Sequence, residues 1–389
     1  MLSCEGQAAL GHDVHLAFGP IYGPEGSLLE RVQAFKTADG RGITTHVVPD
    51  MVREVNLVRD RRALRQLREL IRRLSPDVVH THSSKAGILG RWAAWNVRRE
   101  VAREGRPWPR VVHTIHGPPF MPVEGGVLRR AKINLSNYLY TFAERFAARR
   151  CDRIASVADA MTEQFLARGI GTPALYTTVR SGMEVEPFLT ARAGEERDAV
   201  RESLGIAPAD FVIGTVARLA EHKGHDDLID ALGDNLRANT SWKLLWVGDG
   251  WWRERLKARL RDLGIEPSVI TTGLVPPSRI PSLMRAMDVL AHPSSREGLP
   301  RTVPQALLTG VPAVAYDVDG TREACIDGVT GRLVNAGDVA GLRDAIAWMH
   351  DHPAERRKMG SDGRELCRER FSAARMVSEL EKVYATQGE

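Results

Sequence analysis

The chain has 389 residues, of which 43% are hydrophobic and 26% charged, and its formal net charge is +5. This length exceeds what one ordinary hydrophobic core accommodates, which predicts two domains. No apolar run approaches the ~18 residues of a membrane span, and the N-terminus lacks the basic and apolar segments of a signal peptide. The four cysteines are scattered without metal-ligand spacing, which indicates reduced thiols in a cytoplasmic protein.

Part of the positive charge lies in arginine pairs in the first half of the chain. The pairs are Arg61-Arg62, Arg72-Arg73, Arg98-Arg99, Arg129-Arg130 and Arg149-Arg150. Such pairs fit solvated helix faces, and they also fit a surface that attracts the phosphate of a lipid-linked acceptor or of anionic lipid headgroups. No aromatic residues interleave with the charges in the manner of a nucleic-acid site, so nucleic acid is not an expected partner.

Short β-branched runs alternate with amphipathic helical stretches along most of the chain. The predicted strands are Asp13–Phe18, Thr44–Val48, Val78–Thr81, Arg110–Ile115, Arg153–Ser156, Phe211–Val216, Trp242–Val247, Val269–Thr272, Val289–Ala291 and Ala313–Ala315. The predicted helices include Arg61–Leu74, Lys85–Val101, Asp226–Leu232, Trp252–Leu263 and Val303–Leu308. This alternation predicts an α/β protein with two doubly wound, parallel-sheet domains.

The predicted domains are residues 1–185 and 186–372, with a final helix in 373–389. The first domain has an irregular start. Its opening residues resemble the last turns of the first helix of a Rossmann-like half, followed by the second strand of that half. The first strand of a Rossmann-like half, with its glycine loop, is therefore missing from the pattern. An incorrect start and a truncated domain are the two explanations. We favour the former, because loss of a central strand exposes two sheet edges.

The segment from Asp288 to Val334 carries the strongest chemical signal. A strand, a polar loop containing Glu297 and a new helix follow one another, which is an arrangement that suits a phosphate at the helix start and a carboxylate for sugar hydroxyls. Thr302 is predicted as the N-cap of that helix, and Gln305 as its partner in a capping box. By itself the segment indicates a nucleotide-sugar site.

This segment resembles the donor site of the retaining glycosyltransferases of family 4, which carry a Glu-x7-Glu signature. Glu297 takes the first signature position, and Gly298 and Leu299 follow it. Gln305 replaces the second glutamate, and Pro300 stands where many relatives have a phosphate-facing glycine. The resemblance implies a GT-B fold, in which two Rossmann-like domains face one another across a cleft.

A second block resembles the diphosphate clamp of the same family. Arg218 follows a strand, and Lys223 precedes Gly224 and a helix. Two cations beside the leaving diphosphate would stabilise the charge that develops as the glycosidic bond breaks. Without the resemblance, an arginine and a lysine at this spacing would be interpreted as part of a solvated surface.

Two further segments match the family's donor side. Gly248 and Gly250 lie in a turn after a strand, and the segment Gly273, Leu274, Val275 resembles the one that meets the base. Trp251 and Trp252 replace the usual small residues beside the turn. We interpret them as packing residues at a helix start, with stacking on the base as the alternative.

The first domain contributes candidate residues for the acceptor side. His116 ends a strand at the position where the family places a histidine near the donor sugar and acceptor, although most single histidines are structural. The stretch with His82, Ser83, Ser84 and Lys85 also matches the family. Capping of the next helix by Ser83 or Ser84 is an equally good explanation of the serines.

The resemblance implies a metal-independent, retaining hexosyltransferase with Glu297, His116, Arg218 and Lys223 at its reaction centre. The donor is expected to be a UDP-sugar first and GDP-mannose second. The one Asp-x-Asp sequence, at Asp317 and Asp319, is interpreted as a loop and not as a metal site. The alternatives are a non-catalytic nucleotide-sugar-binding protein and a GT-B epimerase or phosphorylase.

The expected acceptor is a glycan or lipid-linked intermediate of cell-envelope polysaccharide, lipopolysaccharide or glycolipid synthesis at the cytoplasmic membrane face. The basic first domain and the loop 118–128 fit peripheral association with an anionic membrane. That loop carries Phe120, Met121 and Val127, for which core packing is an equally good explanation.

Overall fold

The computed structural model describes residues 1–20, 27–105, 109–120 and 126–385. The chain divides into two compact units. Unit 1 combines Met1–Gly182 with the chain from Ala373 onward, and unit 2 is Met183–Ser372. Both units are built from parallel strands alternating with helices, which confirms the predicted fold class. Among the described residues, no helix has the length and apolar character needed to cross a membrane.

Unit 1 contains six short strands and seven helices in its described residues. The strands are β1 (Val14–Phe18), β2 (Ile43–Val47), β3 (Val78–His82), β4 (Arg110–Ile115), β5 (Arg153–Ser156) and β6 (Tyr176–Thr178). The helices are α1 (Leu2–Ala9), α2 (Leu29–Ala34), α3 (Leu57–Leu74), α4 (Ser84–Arg103), α5 (Val127–Ala148), α6 (Asp159–Ala167) and, from the end of the chain, α15 (Ala373–Ala385).

The strands of unit 1 form two separate parallel sheets. One has the order β1-β2 and the other the order β3-β4-β5-β6. Helix α1 leads directly to β1, so within the described residues no strand joins the two sheets at the place where the sequence pattern lacks one. Helix α15 packs in this unit, where Tyr384 accepts a hydrogen bond of 2.7 Å from the Gln7 amide. The main core of the unit lies between α3, α4 and the larger sheet.

Unit 2 contains one six-stranded parallel sheet with the order β12-β11-β10-β7-β8-β9. The strands are β7 (Phe211–Val216), β8 (Trp242–Val247), β9 (Val269–Gly273), β10 (Val289–His292), β11 (Ala313–Tyr316) and β12 (Gly331–Val334). The helices are α7 (Glu186–Leu189), α8 (Arg197–Ser203), α9 (His225–Ala238), α10 (Arg253–Asp262), α11 (Ile280–Arg285), α12 (Thr302–Leu308), α13 (Val339–Asp351) and α14 (Pro353–Arg370).

The ten predicted strands are all present, and the sequence pattern missed two. The missed strands are β6 and β12, which lie at sheet edges and have three and four residues. The sequences of these two strands, Tyr-Thr-Thr and Gly-Arg-Leu-Val, do not show the continuous apolar run or clear alternation on which a sequence prediction depends. Six of the recognised strands, β4, β5, β7, β8, β10 and β11, are buried almost throughout, and parallel strands buried on both faces read as continuous apolar runs.

Candidate functional site

Strands β7 and β10 lie side by side in the middle of the unit 2 sheet although they are not consecutive in the chain. The strand order reverses between them, so the loops leaving their carboxyl ends run in opposite directions and open a crevice. Such a switch point is the usual ligand position in an open parallel sheet. The loop after β7 carries Arg218 and Lys223, and the loop after β10 carries Glu297.

These two loops are locked together through their backbones. Ser295 donates its N–H to the carbonyl of His222 at 2.9 Å. Gly224 has φ +68°, and a Cβ there would lie 1.9 Å from the carbonyl oxygen of Pro293. Only glycine satisfies both this left-handed backbone and this close approach. The contact fixes Lys223, the residue immediately before Gly224, beside the β10 loop.

Glu297 is a partly buried carboxylate with two basic neighbours. Its Oε1 accepts a hydrogen bond of 2.6 Å from Lys223 Nζ and lies 3.1 Å from His292 Nε2. Burial alone would raise the pKa of Glu297, but His292 and Lys223 outweigh it and lower the pKa to about 2. The group is therefore ionised at neutral pH and acts only as a hydrogen-bond acceptor.

Two residues that position Glu297 were not among the predicted site residues. His292 ends β10, and its Nδ1 lies 3.3 Å from the Thr302 hydroxyl. Asp319 accepts the N–H of Glu297 at 2.7 Å. A sequence signal existed for His292, because a polar residue at the carboxyl end of a buried parallel strand faces the ligand side. None existed for the contact with Asp319, since it joins loops 22 residues apart.

The structure corrects two local predictions here. Helix α12 has Arg301 at its N-cap position and no side-chain cap, so the capping box of Thr302 and Gln305 is wrong. The Thr302 hydroxyl faces His292 instead. The segment predicted as a loop at Asp317 and Asp319 contains a short 3₁₀ helix, Asp319–Glu323. Within the described part of the chain, no group of three His, Cys, Asp or Glu side chains has an arrangement that could hold a metal ion.

Arg218 is exposed at the end of β7, and its guanidinium lies 5.7 Å from the centre of the Trp251 ring. Its carbonyl faces Nε2 of the buried His225 at 3.2 Å. Burial lowers the pKa of His225 to about 4, so a neutral imidazole donates to this carbonyl at pH 7. His225, which the sequence did not single out, therefore positions the backbone of Arg218.

The two tryptophans have different environments. Trp252 packs against the unit 2 core, as predicted, and also contacts Arg255. Trp251 is 68% exposed, so its prediction as a packing residue was wrong. Its contact with Arg218 places an aromatic ring beside the proposed diphosphate clamp.

Gly248 and Gly250 are required by close packing between the loops after β7 and β8. A Cβ on Gly248 would lie 2.1 Å from the Ala217 carbonyl oxygen, and one on Gly250 would lie 2.3 Å from that of Leu219. Gly273 accepts the N–H of Gly248 at 3.1 Å. A cavity of about 100 Å³ lies at the carboxyl ends of β8 and β9, lined by Leu219, Trp246, Gly248, Arg253, Lys257, Thr271, Thr272 and Gly273.

The remaining predicted donor-side residues surround this core of the site. Leu274 is 67% exposed and Val275 is half-buried. Leu299 and Pro300 are buried between the Glu297 loop and α12. Gly298 accepts the N–H of Gly320 at 3.0 Å, and Gln305 is half-buried in α12.

In unit 1, the structure brings together two of the predicted acceptor-side residues. His82 ends β3 and His116 follows β4, and their Nδ1 and Nε2 atoms lie 2.9 Å apart. At that distance one ring must donate and the other accept, so the pair holds at most three protons on its four nitrogens. Behind it, burial and the charge of His116 lower the pKa of His80 to about 3.

Ser83 and Lys85 have clear local roles. Ser83 occupies the N-cap position of α4 without a side-chain cap, and its φ of +61° is strained for a residue with a Cβ. The alternative that the serine hydroxyl caps α4 is therefore wrong for Ser83. Ser84 is the first residue of α4. Lys85 donates to the carbonyls of Val52 and Glu54 and pairs with Asp60, so it anchors the loop between β2 and α3.

A second cavity of unit 2, with a volume of about 650 Å³, lies at the opposite, amino-terminal edge of the sheet. Its floor is an ion cluster in which Asp288 accepts from three guanidinium groups, those of Arg197, Arg201 and Arg356. The guanidinium groups also donate to carbonyls at strand and helix ends. These bonds identify a structural cluster, remote in the sheet from the switch point.

Comparison with known proteins agrees with this geometry. Residues 196–366 match the family described as Glycosyl transferases group 1, and residues 2–182 match the Glycosyl transferase 4-like domain. The structure of HepE (Alr3699) from Anabaena in complex with UDP superposes with a TM-score of 0.77 at 21% identity, covering 99% of this chain and 96% of that one.

Two curated relatives have informative names. The UDP-Gal:alpha-D-GlcNAc-diphosphoundecaprenol alpha-1,3-galactosyltransferase of Escherichia coli is 28% identical over 309 residues, 78% of this chain and 74% of its own. The GDP-mannose-dependent alpha-(1-6)-phosphatidylinositol monomannoside mannosyltransferase of Mycolicibacterium smegmatis is 29% identical over 266 residues, 66% of this chain and 64% of its own.

Two units of parallel strands and helices, with a basic and acidic cluster at the switch point of unit 2, have a GT-B fold. The chain belongs to the group 1 glycosyltransferases, a nucleotide-sugar-dependent family of polysaccharide and glycolipid synthesis, as its sequence motifs predicted.

Proposed function

We propose that the chain is a retaining hexosyltransferase that takes a sugar from a UDP-sugar and transfers it to a glycan or lipid-linked acceptor without a metal ion. GDP-mannose is the second candidate donor. The observation that carries the proposal is the cluster of Glu297, Lys223 and His292 at the switch point of unit 2. An ionised carboxylate held on two basic groups is a preorganised acceptor for sugar hydroxyls.

The cations of the β7 loop supply the electrostatics of the reaction. When the bond from the anomeric carbon to the diphosphate breaks, its electron pair passes to the phosphate oxygen. Arg218 and Lys223 would stabilise that charge, which is the task that a divalent metal performs elsewhere. The acceptor oxygen would then form the new bond on the same face and pass its proton to the departing phosphate.

The choice of donor draws on relatives and not on contacts within this chain. HepE binds UDP, and the relative from Escherichia coli is named for UDP-Gal, whereas the one from Mycolicibacterium smegmatis is named for GDP-mannose. Both curated relatives are named for lipid-borne acceptors, a diphosphoundecaprenol and a phosphatidylinositol. An acceptor of that kind suits the His82–His116 pair of unit 1, where a polar hydroxyl could exchange hydrogen bonds with either ring.

The first test is thermal unfolding with UDP, GDP and ADP, each at large excess. Saturation at 100 times Kd stabilises the folded state by about 2.7 kcal/mol, which moves the midpoint by several degrees. A shift with UDP alone supports the donor assignment, a shift with GDP alone selects the second donor, and no shift with any nucleotide contradicts both.

A second test separates transfer from binding. Purified chain, UDP-sugar and a lipid-diphosphate acceptor are incubated with and without EDTA, and the anomeric configuration of the product is read by NMR. An α-linked product from an α-linked donor, formed equally in EDTA, is expected. Nucleotide binding without product favours a non-catalytic binding protein, and an altered free sugar nucleotide favours an epimerase.

A further inference from the structure

Helix α5 of unit 1 presents an apolar stripe to solvent. Large apolar side chains recur along one side, and each is more than half exposed: Leu128 88%, Leu135 60%, Tyr138 69%, Leu139 57% and Phe142 65%. At 100° per residue they occupy an arc of about 100°, and they extend for about 21 Å along the helix. A run of this kind is unusual on a free protein surface, since exposed apolar residues are normally scattered.

The other side of α5 already faces the protein. Its buried residues are Ile133, Glu144, Ala147 and Ala148, which lie on the opposite side of the helix from the stripe. Helix α5 is therefore amphipathic in an inverted sense, because its largest apolar side chains point away from the unit's core. Packing within unit 1 does not explain the stripe.

The charges of α5 are of one sign. Arg129, Arg130, Lys132 and Arg145 are exposed along the helix, and Arg149 follows at its end. The only carboxylate of the helix, Glu144, is 2% exposed and is paired with the buried Arg91 at 2.7 Å. The solvent-facing surface of α5 thus combines an apolar stripe with cations and presents no carboxylate.

We propose that this surface docks unit 1 on a lipid bilayer containing anionic headgroups, with α5 lying in the plane of the interface. Leu128, Leu135, Leu139 and Phe142 would enter the acyl boundary, and Tyr138 would lie at headgroup level. Lys132, which is next to the stripe on the helix, and the other exposed cations of α5 would remain among the lipid phosphates. Helix α5 and not the loop before it carries this proposal, because Phe120 of that loop is 4% exposed and packs against Phe165, while Met121 lies outside the described residues.

The charge pattern favours a bilayer over a second copy of the chain. Pairing two α5 stripes would bring the cations of both helices together with no carboxylate of α5 to compensate them. An anionic bilayer provides both an apolar layer and the opposite charge. The inference deepens the proposed function and rests on it only for the acceptor. A lipid-borne acceptor would meet the protein on unit 1, which carries both α5 and His116. Helix α5 is the next described helix after β4, the strand that His116 follows.

Vesicle co-sedimentation tests the proposal without donor or turnover, so its outcome is independent of the proposed transferase activity. The full chain is mixed with vesicles of phosphatidylcholine alone, or with vesicles of phosphatidylcholine that contain about 30 mol% of the anionic lipid phosphatidylglycerol. The chain is expected to bind the anionic vesicles and to bind the neutral ones much more weakly. Binding to the anionic vesicles should weaken in about 0.5 M salt, where the Debye length falls to about 4 Å.

Two sets of variants locate the surface. Leu135→Ser with Leu139→Ser is expected to weaken vesicle binding about tenfold, because two leucines leave the acyl boundary. Leu57→Ser, a change to a leucine of α3 that is 79% exposed, is the matched control and should bind as the wild type does. Both should keep the wild-type unfolding midpoint, since the altered side chains are exposed.

Charge removal gives an independent readout. Arg129→Gln with Lys132→Gln is expected to weaken binding to anionic vesicles about 25-fold, at about fivefold for each cation, and to reduce the dependence on salt. Lys358→Gln in unit 2 is the control for a cation that is 75% exposed.

Three results would overturn the proposal. They are failure of the wild-type chain to bind anionic vesicles, binding by the leucine variants as strong as that of the wild type, and equal loss in the Leu57 control. Sedimentation velocity of the free protein adds a fourth: a dimer that the leucine changes convert to monomer, together with no vesicle binding, would assign the stripe to contact between copies.

Discussion

Replacing Lys223 by methionine tests the central contact of the candidate site. The change keeps the length of the side chain and removes the ammonium that lies 2.6 Å from Glu297. Both side chains are mostly buried, at 19% and 13% exposure, so the charged hydrogen bond is worth about 1.5–3 kcal/mol. For a unit of roughly 190 residues, a loss of about 2 kcal/mol lowers the unfolding midpoint by about 4–8 °C.

The activity of the same variant separates a structural role from a catalytic one. If Lys223 stabilises the leaving diphosphate, its removal should lower kcat/KM by about 10²–10³, as for other groups that stabilise transition-state charge. The assay is the initial rate of sugar transfer at subsaturating donor. Lys358→Met is the control, because that lysine is 75% exposed in unit 2 and should affect neither rate nor midpoint.

A double-mutant cycle completes this experiment. Glu297→Gln is combined with Lys223→Met, and a coupling free energy of about 1–2 kcal/mol in stability is expected for two groups in direct contact. A Lys223→Met variant with a lowered midpoint but a kcat/KM within threefold of wild type would contradict a catalytic role for Lys223. In that case the ammonium only supports Glu297, and the diphosphate clamp must be assigned to other groups.

Three further outcomes are expected. The pKa of Glu297 is lowered to about 2, so its contribution to stability is complete above about pH 5 and lost as pH falls towards 2. The difference in unfolding free energy between wild type and Glu297→Gln should therefore shrink by about 3 kcal/mol over that range in urea titrations, and a constant difference would contradict the assignment. Gly224→Ala should destabilise the protein by more than about 2 kcal/mol, because its Cβ would lie 1.9 Å from a backbone oxygen. Gly264→Ala is the control, since Gly264 has a similar φ but open space around it, and it should cost about 1 kcal/mol. Equal unfolding midpoints for the two variants would refute the close approach at Gly224. Asp288→Asn should lower stability by about 3 kcal/mol in chemical denaturation, because three guanidinium groups lose their shared counter-charge, and Asp234→Asn, whose side chain is 97% exposed, should not.

The sequence by itself determined the fold class and the segments that carry the candidate site. Ten of the strands were recognisable as short β-branched runs, and their alternation with helical stretches predicted parallel sheets. The motif around Glu297, and the pair Arg218 and Lys223, predicted the donor side through resemblance to a family, and the group 1 family match confirms the family.

Only the tertiary structure decided which of those residues meet. The contact of Lys223 with Glu297 joins loops 74 residues apart, and it depends on the strand order that places β7 next to β10. No local pattern encodes that order. The same holds for His292 and Asp319, which hold Glu297, and for the exposure of Trp251, since each follows from packing between loops that are distant in the chain.

The stripe on α5 shows the same division. Its period of apolar residues is visible in the sequence, and an apolar period ordinarily predicts a buried helix face. The structure shows that Ile133 and Ala147 on the opposite side face the unit, leaving Leu135 and Leu139 exposed. A sequence states which residues share a helix face, but only the packing of the surrounding elements decides which face is covered, because burial depends on neighbours that the local pattern does not specify.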